Sequence, residues 1–175
     1  MTHYINFYGA PGAGKSTLAA GLFYTMKMNG ERCELVSEVA KDLVWENRFD
    51  TLQHQIYVAA KQYRNLARVK GKVDYVITDG GLLNSVVYGR YYDSGLPQDL
   101  EYIKLLIQAL GSQTNLMLTR THAYETAGRY QSEKESDELA GLITGVFAEA
   151  ELPYTTVSSG ITPVDLYHTI KGLTS

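Results

Sequence analysis

The chain has very little cysteine. Cys33 stands alone among 175 residues, so no intrachain disulfide can form, and a lone thiol suits a reducing compartment. Long apolar runs are lacking too, and no stretch approaches the roughly 20 residues that a membrane-spanning helix needs. The opening Met1-Thr2-His3-Tyr4 lacks the basic-then-apolar pattern of a secretory leader. These absences predict a cytoplasmic protein with no membrane partner. Excess positive charge is missing as well. A net charge of −3 and a pI near 5.8 argue against a broad nonspecific nucleic-acid surface and leave only a local basic patch as a route to such a partner. The four histidines (His3, His54, His122 and His168) have no metal-ligand spacing, so no zinc site is expected. Hydrophobic residues at 45% and charged residues at 20% fit a globular chain with a sizeable core, of a length that suits one domain spanning 1–175.

Glycine and proline punctuation divides the chain into short apolar runs and longer helical patterns. Strands are expected at Tyr4–Tyr8, Cys33–Val36, Tyr75–Thr78, Asn115–Thr119 and Tyr154–Val157. Helices are expected from Lys15 to Met28, in a short segment capped by Ser37 and containing Glu38, and from Leu52 to Val69. Others follow over Leu82–Tyr91, Leu100–Leu110, Glu138–Ala150 and Pro163–Leu173. The long helix is expected to show Ile56, Ala59, Ala60, Tyr63 and Ala67 along one side. Strands alternating with helices imply a parallel sheet covered on both faces, a three-layer α/β/α domain. Ligands in such sheets sit beyond the carboxyl ends of the strands. Gly9 to Thr17, Glu38, Asp79 and Arg120 all fall there.

Gly9-Ala10-Pro11-Gly12-Ala13-Gly14-Lys15-Ser16 matches G-x-x-x-x-G-K-[ST] in full, and Thr17 follows it. Its glycines let the backbone fold into a nest of N–H groups around phosphates, and the helix N-terminus beyond adds free donors. Lys15 is suited to the β- and γ-phosphates and the Ser16 hydroxyl to Mg²⁺. The pattern predicts a nucleoside triphosphate with Mg²⁺. The loop does not read the base, and the absence of an Asn-Lys-x-Asp guanine motif leaves ATP as the expected donor.

Asp79 ends the apolar run Tyr75-Val76-Ile77-Thr78, where a Walker B carboxylate would help to hold Mg²⁺; the other reading is a helix-capping aspartate. Gly80 and Gly81 follow instead of the second acid that motor-type ATPases use to activate water, which disfavours hydrolysis as the purpose. They let a substrate approach the backbone, or make a tight turn. Glu38, just past the second strand, is placed to take a proton from an acceptor hydroxyl, or simply to complement a helix dipole. The polar segment Thr119 to Gln131 carries Arg120 and Arg129. It reads as a lid over about 120–136, Arg129 first and Arg120 second as cations for the moving phosphoryl group, or as a solvated loop. Tyr88, Tyr91 and Tyr92 could stack on an acceptor ring or sit in the core. Gln55 and Arg64 could border an acceptor pocket or lie on a helix surface.

In motif order GAPGAGKS, SEVAK, VITDGGLLNS and TRTHAYETAGRYQSEKESDEL, nearly the whole chain resembles the small nucleoside and nucleotide kinases of the P-loop superfamily. It is most similar to the ribosylnicotinamide-kinase-like branch and to short kinases of that branch encoded by phages, which act in the host cytoplasm. The resemblance implies a five-stranded parallel sheet in the order 2-3-1-4-5 and an arginine-bearing lid. It implies ATP and Mg²⁺ as cofactors and roles for Lys15, Ser16, Glu38, Asp79 and Arg129 like those above. The implied activity is phosphorylation of a nucleoside, nucleotide or nucleotide-like small molecule, with a homodimer left open. Rival expectations are a kinase acting on a modified base in DNA, such as a hydroxymethyl pyrimidine, and an ATP-hydrolysing switch. Many relatives read Asp-Ser-Pro or Asp-Arg where this chain has Asp79-Gly80-Gly81.

Overall fold

A computed structural model describes residues 1–94, 99–121 and 133–174. Five strands form one sheet: β1 (His3–Tyr8), β2 (Cys33–Val36), β3 (Tyr75–Thr78), β4 (Gln113–Thr119) and β5 (Thr155–Ser158). Their order is β2-β3-β1-β4-β5 and all pairs are parallel, as expected. Eight helices accompany them among the described residues: α1 (Lys15–Met28), α2 (Val39–Trp45), α3 (Phe49–Gln53), α4 (Gln55–Ala67), α5 (Asn84–Tyr91), α6 (Asp99–Leu110), α7 (Glu133–Ala150) and α8 (Pro163–Thr174).

Strand periodicity explains the layers. In β1 the side chains of Ile5 and Phe7 enter one core with Leu18 and Leu22 of α1 and Leu166 and Ile170 of α8. Tyr4 and Tyr8 enter the other, with residues of α4, α5, α6 and α7. Both cores are fully dry at their centres, with Ile5, Phe7, Leu22 and Tyr4 at 0% exposure. A smaller cluster of Val39, Leu43 and Val58 seats α2 on α4.

Two local expectations need correction. The helix expected from Leu52 to Val69 is broken at His54, which joins α3 to α4 with non-helical torsions. None of the α3 residues is buried, whereas α4 buries Gln55, Val58, Ala59, Gln62 and Leu66. α3 is held only through the partly buried Leu52, whereas α4 is anchored by a buried stripe, and that stripe is rotated from the expected one, leaving Ala60 exposed. The second correction concerns the start of α2. Ser37 is exposed, and Glu38 itself holds the N-cap position with extended torsions (φ −68°, ψ 127°), outside the helix.

The parallel register sets up the site. Val36 pairs with Thr78 and Asn6 with Thr78, so β2, β3 and β1 end side by side. Glu38, Asp79 and the Gly9 loop therefore leave the sheet along one edge.

Candidate active site

The loop Gly9 to Ser16 connects central strand β1 to α1. Gly9, Gly12 and Gly14 all have positive φ, which is what curls the backbone around an anion-sized space. Lys15 folds back over this loop, its Nζ donating to the carbonyls of Gly9 at 2.7 Å and Ala10 at 3.1 Å. The loop is also held from the far side, where the buried Ser136 Oγ of α7 donates to the Pro11 carbonyl at 2.8 Å.

Asp79 is buried at the end of β3, and its Oδ1 accepts the Glu38 backbone N–H at 2.9 Å. The capping suggestion for Asp79 is replaced by this cross-strand bond, because α5 begins only at Asn84. The bond fixes the chain where it turns out of β2, and so fixes Glu38. Its Oε1 accepts from Asn84 Nδ2 at 3.0 Å. Burial pushes the Glu38 carboxyl above the usual carboxylate range. The Lys15 ammonium, the Asn84 hydrogen bond and the Lys41 ammonium oppose that rise, and the Asp79 charge adds to it.

The paired glycines after Asp79 have a definite use. A Cβ on Gly80 would stand 2.5 Å from Glu38 Cδ, and one on Gly81 would collide with the Tyr8 hydroxyl. The close approach comes from the protein's own side chains rather than from a ligand. Tyr8 is locked by an edge-on ring contact with Phe147 at 4.7 Å, and burial raises its phenol well above its ordinary range.

Gln62 of α4 was not singled out from sequence. Its Oε1 accepts the Val39 N–H at 2.9 Å, and its Nε2 donates to Thr78 Oγ1 and the Gly80 carbonyl, both at 3.3 Å. It thereby ties α2, β3 and the glycine turn together from inside. A glutamine interrupting the stripe Val58, Ala59, Leu66 is the signal that could have found it. Lys41 and Asn84 were missed as well. Lys41 lies three residues beyond Glu38, and its Nζ donates to Ser16 Oγ at 3.4 Å.

The remaining candidates divide. Arg120, at the end of β4, pairs with Asp137 of α7 through Nη2 at 3.2 Å. Arg129 and His122 lie outside the described residues, as do positions 122–132 of the expected lid, while 133–136 belong to the first turn of α7. Tyr92 contacts both Tyr88 and Tyr91, and the latter two pack against the core. Gln55 is buried, lining a small cavity with Ser85 and Asp99, and its Nε2 donates to the Leu52 carbonyl. Arg64 is exposed. Among the described residues no group of three or more His, Cys, Asp or Glu could hold a metal ion.

A parallel sheet in this order, with a glycine-rich lysine loop after its central strand, defines a P-loop nucleotide-binding domain of the kinase-like α/β type. The chain belongs to a family described as an AAA domain, which matches residues 4–162. Among solved structures it is similar to the YorR protein of Bacillus subtilis in complex with phosphorylated GDP. The identity there is 16% and the TM-score 0.61, over 98% of this chain and 95% of that one. It is similar also to deoxyadenosine kinase from M. mycoides with the products dCMP and a flexible dCDP bound, at 16% identity and a TM-score of 0.60 over 98% of each chain. At such identity the likeness is one of fold. No curated protein matches.

Proposed function

We propose that this chain is one kinase domain that transfers the γ-phosphoryl group of ATP to a nucleoside, nucleotide or nucleotide-like small molecule. The observation that carries this reading is the seat of Glu38. A carboxyl group raised by burial, oriented by Asn84 and under the influence of the Lys15 ammonium, stands beside the phosphate loop and is separate from Asp79. That is the equipment of a general base for an acceptor hydroxyl, and a switch that only bound nucleotide would have no need of it. Similar folds solved with nucleotides bound fit the same reading.

In this mechanism the N–H groups of the loop and Lys15 gather the phosphates, with Lys15 exchanging two carbonyl partners for phosphate oxygens. Glu38 takes the acceptor proton as the new bond to the γ-phosphorus forms and the bond from that phosphorus to the bridging oxygen breaks, the bridging oxygen leaving with ADP, and Asn84 keeps the carboxylate aimed. Asp79 positions Glu38 through the backbone. Ser16 and Asp79 would hold Mg²⁺. The fit is supported by the Lys41 ammonium, a cation that already stands at the Ser16 hydroxyl, and Mg²⁺ is commonly bound by one or two protein oxygens plus substrate phosphates. When bound, the metal would neutralise charge on the β- and γ-phosphates. Arg129, with Arg120 behind it, is the proposed cation of the lid. The protein would work in the cytoplasm, and no described helix is long and apolar enough to cross a membrane.

The test is ADP release from ATP and Mg²⁺ with nucleosides, deoxynucleoside monophosphates, nicotinamide riboside or duplex DNA as acceptors, and Lys15→Ala as control. One small-molecule acceptor should raise the rate well above the acceptor-free rate, and Lys15→Ala should abolish the increase while the fold persists. Stimulation by DNA alone moves the reading to a base-modifying kinase. Acceptor-independent hydrolysis that is lost in Lys15→Ala makes the chain an ATPase.

A further inference from the structure

We propose that Lys41 is a second cation of the transfer centre: its ammonium stands at the Ser16 hydroxyl, from where it pairs with the terminal phosphoryl group of the donor. This rests on the donor reading above and goes beyond it. Helix α2 is pinned at its start by two bonds to buried groups, Glu38 N–H to Asp79 and Val39 N–H to Gln62. Its first turn is therefore a rigid platform. Lys41 lies in that first turn, three residues beyond Glu38. The outcome is visible at both ends. Nζ reaches Ser16 Oγ at 3.4 Å, and the same charge is felt by the Glu38 carboxyl.

Lys41 is exposed, and among the described residues it forms no ion pair. It spans instead to a neutral hydroxyl on another helix. A lysine held over a phosphate-loop hydroxyl is placed to pair with an anion bound in that loop, and the terminal phosphoryl group of a nucleoside triphosphate is an anion of the right charge. Lys15 serves the loop from the β1 side through Gly9 and Ala10, whereas Lys41 comes from the acceptor side with Glu38.

The test compares wild type, Lys41→Met and Lys41→Arg by isothermal titration calorimetry with ATP and ADP, each in EDTA and in Mg²⁺. Without metal, Lys41→Met should bind ATP at least tenfold more weakly while its ADP affinity stays within twofold, and Lys41→Arg should keep most of the ATP affinity. With Mg²⁺ present the loss in ATP affinity should shrink, because the metal supplies charge at the same hydroxyl. Unchanged melting temperatures are expected, as the side chain is exposed. Metal-free ATP affinity equal to wild type in Lys41→Met, or equal losses for ATP and ADP, would overturn the inference and leave the donor reading intact. A wild type that binds no ATP even with Mg²⁺ would overturn both.

Discussion

Replacing Gly80 with alanine tests the placement of Glu38 directly. The new methyl would lie 2.5 Å from Glu38 Cδ, 2.6 Å from Cγ and 2.8 Å from Cβ, against 3.4 Å where ordinary contact begins. Rotating the end of the glutamate cannot relieve this, because Cβ is fixed to a backbone bonded to Asp79. The carboxyl must retreat by about 1 Å, a misplacement that costs on the order of 10²-fold in rate, or about 3 kcal/mol of transition-state stabilisation. The Asn84 bond, now 3.0 Å, would break at the same time. Gly80 does not have positive φ, so the backbone itself accepts alanine. The assay is kcat/KM for the acceptor identified above, beside calorimetric affinity for Mg·ATP. Turnover should fall by about two orders of magnitude with donor affinity unchanged, since the phosphate loop is untouched. Activity within threefold of wild type in a folded Gly80→Ala protein would refute the claim that Glu38 must stand where it does.

Glu38→Gln keeps an acceptor oxygen for Asn84 but cannot take a proton, so transfer should drop by roughly 10²- to 10⁴-fold. The wild-type rate should fall on acidification already above 4.5, the ordinary value for a glutamate, because burial raises this carboxyl. The stability effect has the opposite sign. A raised native pKa means that the folded state gains from protonation below 4.5 and loses that gain as pH rises through the raised value, so Glu38→Gln should melt higher than wild type at neutral pH. A neutral-pH melting temperature below wild type would contradict this. Gln62→Leu would strip the partner from the Val39 N–H and one of two donors from the Gly80 carbonyl, which keeps the Thr78 hydroxyl. Chemical denaturation should show a loss of about 1–3 kcal/mol, and a loss under about 0.5 kcal/mol would mean that the Val39 N–H finds another partner.

The sequence made the sheet legible because each strand is a short apolar run between glycine, proline or charge. The phosphate loop was legible because its chemistry is local: eight consecutive residues carry it. Asp79 and Glu38 could be placed from strand ends alone, since a parallel sheet delivers every carboxyl terminus to one edge. The groups that orient them were not legible. Asn84 meets Glu38 from 46 positions away and Gln62 meets Val39 from 23, distances at which pattern says nothing about contact. The break at His54 was hidden for a related reason: residues 49–53 form helical turns held only by the partly buried Leu52, with no fully buried residue. Gly80 and Gly81 were recognised as places of close approach, and only the fold could say that Glu38 and Tyr8 fill them.

The central position of β1 bears on how the chain must be made. Its two neighbours, β3 and β4, are completed only at residues 78 and 119. During synthesis at about 5–20 residues per second, both edges of this apolar strand wait several seconds for the first partner and longer for the second. The phosphate loop cannot take its working shape earlier, since the strand that ends in it is anchored from both sides only then. A ribosome-bound fragment that stops before β4 should therefore be prone to aggregation and inert toward nucleotide, although it already contains Lys15, Glu38 and Asp79.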